Sequence, residues 1–385
     1  MLHRKSRPWP LPQEAEGLFF PLPRALLRWM EVHAFPPPLA EASWQGILSF
    51  WEGKRVAVVR QAAYRGAYPS GGERSWPRLV LTAYAHLGPF SFLADLGADY
   101  FVVRQTPDPE TYLWRQKFLN DPDPEKSFRA VQLWQEEQAG RNTLTDCEQI
   151  RWENYDLVVS LDIAVPSRIA RQAKKTVWAY FSVEAGGALQ KDSLHRPVPG
   201  YQLFLNHGFR RFRSRPRNRS HVLEFPFSFQ SARSWARLTE EAGPPIPRRG
   251  TVVDKSTWNG LGKEELQATW APISGNAREY VRQMSSAKFA VRIDPARRWG
   301  NWSIEAVQAG CLFLGNPDSL AMPALLLPDL AVQKPEEAQN ILRRLEETPE
   351  QFASARQTQS LLAEHLAFRR PLAELTEKIK SVLKP

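Results

Sequence analysis

The chain reads as an α/β protein built from two doubly wound parallel sheets. Three observations predict this. Short apolar runs alternate with helical stretches along most of the sequence, the order that parallel sheets impose. The runs are nearly continuous in apolar character, as in YDLVVSL at 155–161, which suits strands covered on both faces. The length, 385 residues, is enough for two cores, and the proline-rich interval Gln230–Arg249 splits the alternation into two blocks.

Residues 1–53 are rich in proline and aromatics, with a helix expected at Arg24–His33, and read as an extension packed against the body. The first strand is Arg55–Arg60, with three valines. Gly66, Pro69, Gly71 and Gly72 make the turn that follows, and Ser75–Leu87 reads as a helix with Pro77 in its first turn. Asp99–Arg104 is the next strand and Ser127–Ala139 the next helix. Then come strand Asp156–Leu161, helix Pro166–Ala173, and strands Thr176–Phe181 and Tyr201–Leu205. Gln230–Arg249, with Pro244, Pro245 and Pro247, reads as a linker or insertion. Beyond it, Gly250–Asp254, Lys288–Ile293 and Cys311–Gly315 read as strands, and Ala277–Ser285 and Trp302–Ala309 as helices. Three helices end the chain, near 336–346, 350–367 and 371–383. Pro335 and Pro349 stand in first turns, and Glu336, Glu337 and Glu350 favour the helix dipole.

A hydrophobic fraction of 43% with 24% charged residues argues against global disorder. Two cysteines, Cys147 and Cys311, cannot form a disulfide framework and fit a reducing compartment. The most apolar stretch, 309–332, is broken by three prolines and two aspartates, so no membrane span is expected. Pro8, Pro10, Pro12, Glu14 and Glu16 interrupt the N-terminus, so no export signal is read. The net charge of +10 points to an anionic partner. Its densest run is Arg210, Arg211, Arg213, Arg215, Arg217 and Arg219, interleaved with Phe209 and Phe212. A solvated loop and an anionic membrane surface are the two main readings, and nucleic acid is not expected as partner because no reading motif accompanies the run.

One segment concentrates the chemistry. In IDPARRWGNWSIEAVQAGCLFLG, residues 293–315, a strand ends at Ile293, a loop carries Gly300, and a helix follows with Asn301 expected as N-cap. Gly310 suits a left-handed C-cap. Free N–H groups and the positive dipole end at such a helix start make a diphosphate site, and Gly300 permits close approach. Glu305 is placed to reach outward toward sugar hydroxyls, as carboxylates do for ribose in other nucleotide folds. Asp162 and Glu184 follow strands, at the ends where open α/β sheets place ligands. The seven histidines show no metal-ligand spacing. Asp121-Pro122-Asp123 mimics a metal-binding Asp-x-Asp pair but reads as a turn, so no metal is expected.

WGNWSIEAVQAGCLFLGNP resembles the donor-site motif of GT-B glycosyltransferases, of the group 1 or family 4 kind, written F-G-x-x-x-x-E-A-x-A-x-G-x-P-V. Trp299-Gly300, Glu305-Ala306 and Gly310 match it, while SSAKFAVRIDP and Gly310-Cys311 are similar to exostosin-type relatives. SGGERSW at 70–76 is similar to the family's glycine-rich loop after the first strand. The resemblance spans about residues 54–365 and implies two Rossmann-like domains facing across a cleft, the second shortened. It implies an acceptor domain at 54–222, a nucleotide-sugar domain at 223–365, and a C-terminal helix at 366–385 that crosses back to the first domain.

By the same resemblance, Glu305 meets the ribose, and backbone at Asn301, Trp302 and Ser303 meets the diphosphate. Gly71 and Gly72 line the donor side, and Lys255 and Arg292 are the candidates to supply charge. The catalytic candidates rest on the residues themselves: Glu184 and Asp162 on their places after strands, and Arg297 as a positive charge for the leaving diphosphate. The implied activity is metal-independent hexosyl transfer from a nucleotide-sugar, without a cofactor, to a glycan or lipid-linked acceptor of polysaccharide biosynthesis. The implied place is the cytoplasm, at the inner face of a membrane. The chain departs from the motif at Arg297, where the family has its first glutamate, and at Leu312, where it has proline. A non-catalytic relative that keeps the pocket as a binding or scaffold protein is therefore the alternative, and a basic nucleic-acid-binding protein a lesser one.

Overall fold

Alternation along β1 (Val56–Gln61) shows how the first sheet is built: Val56 and Val58 enter one core, Ala57 and Val59 the other. Successive strand side chains point to opposite faces, so a run apolar at every position needs cover on both sides. The computed structural model describes residues 39–61, 63–64, 98–103, 119–120, 142–161, 164–182, 198–206, 221–224, 232–244, 246–253, 270–272, 277–293, 301–316 and 328–383. The expected helices at 24–33, 75–87 and 127–139, the turn at 66–72 and the arginine run at 210–219 lie outside them.

The described strands, in chain order, continue with β2 (Ala63–Tyr64), β3 (Asp99–Val103), β4 (Leu119–Asn120), β5 (Asn142–Thr145), β6 (Leu157–Leu161), β7 (Val177–Ser182), β8 (Leu203–Asn206) and β9 (Val222–Glu224). Seven of these form a sheet in the order β5-β3-β1-β6-β7-β8-β9, with every pairing parallel. The short β2 and β4 pair antiparallel on their own. The domain boundary expected at 222 falls inside β9.

One face of this sheet is covered by α1 (Glu41–Trp51), whose Trp44, Ile47, Leu48 and Trp51 are buried at helical spacing. The other face holds an aromatic cluster. There Trp178 lies 5.3 Å from Trp152 and 5.6 Å from Tyr201, ring centre to ring centre. The helix expected at Pro166–Ala173 is a single turn, α2 (Ser167–Ala170). Tyr201 fastens it: its hydroxyl accepts from the Val165 amide at 2.7 Å and shares a 2.6 Å hydrogen bond with Ser160.

The second sheet has the order β11-β10-β12-β13, again all parallel: β10 is Thr251–Val253, β11 Trp270–Pro272, β12 Phe289–Arg292 and β13 Leu312–Gly315. Around it stand α3 (Ala232–Ala242), α4 (Ala277–Ser286), α5 (Asn301–Gln308), α6 (Pro335–Glu347) and α7 (Pro349–Glu364). The reading of 230–249 as a linker is corrected by α3. Its Trp235, Leu238 and Ala242 are buried in the second core, and the irregular part among the described residues is confined to 243–244 and 246–249 behind it. Glu337 closes the start of α6 as a first-turn glutamate should, accepting from the Gln333 amide at 2.8 Å.

The last helices form one run. α7 continues through a π-helical turn at His365–Arg369 into α8 (Arg370–Leu383). α7 packs on α5 and β13; α8 packs on α1, β7 and β9. Gln359 lends its amide to β13, donating to Phe313 O at 2.7 Å and accepting from Phe313 N at 2.8 Å. Trp51 Nε1 donates to Thr376 Oγ1 at 2.8 Å on the other sheet's side.

Cys147 is buried against the first sheet and Cys311 in the second sheet's core. Burial pushes both thiols up to about 12, helped at Cys147 by Glu148 and Asp146 and opposed at Cys311 by Arg248. The thiolate is the reactive form, so both should resist iodoacetamide near pH ~9 in the native protein and react once it is unfolded in urea. The folded state keeps these protons while the unfolded state loses them. Stability should therefore fall from about pH 9 toward 12, and more steeply than in a C147A/C311A variant. Native-state alkylation at the free-thiol rate would contradict the placement.

Candidate functional site

β12 lies between β10 and β13, and its residues are buried throughout. Its exit is held by Asn316, which follows β13. The Asn316 amide donates to Arg292 O at 2.9 Å, and its Nδ2 donates to Ile293 O at 2.9 Å. The chain thus leaves β12 from a hydrogen-bonded end, and α5 is the next described element.

α5 begins at Asn301, which is the first helical residue rather than the cap expected for it. Trp302 is half-buried and meets Phe313 edge-on, with ring centres 5.9 Å apart. Ser303, Ile304, Ala306 and Val307 are buried, so the helix is gripped on most of its circumference. Its first N–H groups have no partner within the helix, and its dipole is positive at that end. Gly310 ends the unit with φ +93°, the left-handed cap expected of it. The Arg248 guanidinium seals this end, donating to Ala287 O at 3.0 Å and to Ala309 O.

Glu305 does not reach outward as expected. It is 8% exposed, in the body of α5, and its Oε2 accepts a hydrogen bond from the Tyr280 hydroxyl on α4. A buried carboxylate is costly unless donors meet it, and this donor is on a different helix. Sequence reasoning placed Tyr280 on a helix and gave it no role, because nothing local marks a partner 25 residues away. Asn316 was missed for the same reason. Arg292 is 2% exposed, at the carboxyl end of β12.

The remaining sequence-chosen residues, Gly71, Gly72, Asp162, Glu184, Lys255, Arg297 and Gly300, lie outside the described residues. Their places along the chain still order them. Asp162 directly follows β6, Glu184 follows β7, Lys255 follows β10, and Arg297 and Gly300 fall between β12 and α5. Gly71 and Gly72 come after β1 and β2. All follow strands; apart from the short β2, each of these strands belongs to a parallel sheet.

Both sheets reverse their winding once. In the first, β1 runs to β3 and β5 on one side while β6 to β9 extend on the other. In the second, β10 runs to β11 on one side while β12 and β13 extend on the other. Open parallel sheets bind ligands outside the carboxyl ends of the two strands where the winding turns. Those strands are β1 and β6 in one sheet, β10 and β12 in the other. Four of the five segments that carry the candidate residues follow these strands, the one with Gly71 and Gly72 coming after the short β2; Glu184 follows β7 instead.

Both sheets are Rossmann-like. No known family profile matches the sequence, and no curated protein matches it. Similar solved structures exist. Anabaena HepE in complex with UDP and glucose matches over 86% of this chain and 100% of its own, at 9% identity and TM-score 0.45. An α-glucosyltransferase in complex with UDP and a 13-mer DNA matches over 85% and 100%, at 8% identity and TM-score 0.46. Sucrose-phosphate synthase from Thermosynechococcus elongatus matches over 86% and 99%, at 13% identity and TM-score 0.40. The strand orders and registers, not these likenesses, carry the fold. Among the described residues no helix is long and apolar enough to cross a membrane.

Gly310 offers a check on this local geometry. A Cβ there would lie 2.5 Å from Arg248 Nη2, on a backbone that side chains rarely adopt. Gly310→Ala should therefore cost about 1–3 kcal/mol in urea unfolding, from positive-φ strain and displacement of the arginine. A variant as stable as the wild type would show that α5 does not end this way.

Proposed function

We propose that the chain is a GT-B-type glycosyltransferase that moves a sugar from a nucleotide-sugar to a glycan or lipid-linked acceptor. The observation that carries this reading is the coincidence at the second sheet's reversal. The carboxyl end of β12, the start of α5 and the buried carboxylate Glu305 all belong to the segment whose residues match the donor motif. A helix N-terminus at the carboxyl edge of a parallel sheet suits a diphosphate, and a carboxylate one turn further suits a ribose diol.

On this reading the donor lies over 294–303. Backbone N–H groups at Asn301–Ser303 meet the phosphates, with Gly300 allowing the approach. The bond between the anomeric carbon and the phosphate oxygen breaks, and its electron pair leaves with the nucleoside diphosphate. The α5 dipole and nearby cations, Arg297 with Lys255 and Arg292, stabilise the charge that develops there. The acceptor hydroxyl forms the new bond to the anomeric carbon. Its proton passes to a carboxylate on the first sheet's side, Asp162 or Glu184, beside the loop of Gly71 and Gly72. This scheme uses dipole and cations where other transferases use a metal, and it suits a hexosyl donor. The arginine run at 210–219 would hold the chain at the anionic inner face of a membrane, close to a lipid-linked acceptor.

A second reading has one observation in its favour. Arg297 stands where the motif has its first glutamate. A relative that binds nucleotide without transferring sugar would tolerate that change.

Thermal unfolding with UDP-, GDP-, ADP- and dTDP-sugars, on the wild type and on Glu305→Ala, tests the donor site. A ligand at a hundred times its dissociation constant stabilises by about 2.7 kcal/mol. One nucleotide class should raise the unfolding temperature of the wild type and not of the variant. No shift with any of them removes the donor site.

A further inference from the structure

Glu305 is not held by its own helix alone. The Tyr280 hydroxyl on α4 donates to Glu305 Oε2. The Tyr280 ring is itself placed by α3: Trp235, fully buried, lies 6.5 Å away between ring centres. α3 and α4 are in turn joined by the 2.7 Å hydrogen bond between Thr239 and Ser285. Three helices, α3, α4 and α5, therefore converge on one carboxylate. The α3 contribution comes from the very segment whose prolines make it look like a linker.

A carboxylate accepts through two oxygens with several lone-pair directions, and rotation about its last bond is soft. A single strong donor on one oxygen fixes the plane of the group. Vicinal hydroxyls present two O–H donors about as far apart as the two carboxylate oxygens. Their recognition therefore depends on that plane. A freely turning carboxylate would bind them with an added ordering cost.

We propose that Tyr280 is a positioning residue for Glu305. The unit that recognises a vicinal diol, the ribose hydroxyls of a nucleoside diphosphate, is then the phenol–carboxylate pair rather than the carboxylate by itself. This rests on the donor-site reading above. It adds a residue to that site which no motif contains, and it gives the site a preference for ribonucleotides over their 2′-deoxy forms that Tyr280 sets through Glu305.

The test is calorimetric titration of the full chain with UDP, GDP and ADP and with the 2′-deoxy form of each. The proteins are the wild type, Tyr280→Phe, Glu305→Gln and the double variant. Phenylalanine keeps the ring against Trp235, and Glu305→Gln gives a second route to the same pair. The wild type should bind one ribonucleotide better than its 2′-deoxy form. Tyr280→Phe should weaken the ribonucleotide about tenfold, the size expected for a hydrogen bond to a charged group, and leave the 2′-deoxy form nearly unchanged. In the Glu305→Gln background the same change should add little, because the two residues act as one. Equal weakening of both forms, no weakening of either, or a full effect in the Glu305→Gln background overturns the role of Tyr280 and leaves the donor site standing. No binding of any ribonucleotide to the wild type overturns the donor reading and this inference with it.

Discussion

Both halves of the molecule depend on the burial of one helical run, residues 349–383, against two parallel sheets. A parallel sheet leaves no face that tolerates water when its strands are apolar at every position. α7 supplies Leu362 and Ala363 to the second core, and α8 supplies Leu372, Leu375 and Ile379 to the first. The π-helical turn between them lets one rod serve two sheets. Each residue of an α-helix advances the face by about 100°, so a local change of period re-aims everything beyond it. All five residues of that turn are buried, including His365 and Arg369. The Arg369 guanidinium lies 4.9 Å from the centre of the Trp44 ring on α1, and Glu364 accepts from the first amide of α3 at 3.1 Å. The crossing therefore binds the beginning, middle and end of the described chain.

That arrangement sets where chemistry can be placed. Strands of a parallel sheet all end on one edge, and winding in two directions opens a crevice on that edge. The second sheet is short, with four strands among the described residues, yet its reversal between β10 and β12 is intact. Its edge is well supported. Gln359 pairs with both polar groups of Phe313 on β13, which would otherwise be left unsatisfied in a dry core. Asn316 ties the exit of β12 to the exit of β13. The segment 294–300 therefore starts from a strand end held by hydrogen bonds, and such support from a rigid scaffold is general where function is carried between regular elements.

Much of this was legible before any coordinates. Strands β1, β3, β6, β7, β8, β10, β12 and β13 coincide within a residue or two with apolar runs. The Gly310 cap and the Pro335 helix start stand where their residue types place them. Other elements carried a signal that was outweighed. α1 has apolar residues at 44, 47, 48 and 51, and α3 has them at 235, 238 and 242, but neighbouring prolines dominate both stretches. The strands β5, β9 and β11 carried almost none. Four residues reading NTLT, or three reading WAP, become strands only because a finished sheet offers them an edge.

The sequence by itself determined the parallel α/β class, the order of the main elements and the segment 293–315 in which a ligand site is expected. These follow from local terms: apolar periodicity, caps and turn residues act between near neighbours along the chain. Tertiary structure alone decided that Glu305 is buried rather than outward, that Tyr280 is its donor, and that a buried π-helical turn carries the C-terminal run from one core to the other. Those outcomes depend on groups 25 to 325 residues apart meeting in a dry interior. There an unpaired polar atom is costly enough to dictate its partner, and no local pattern in the chain records that cost.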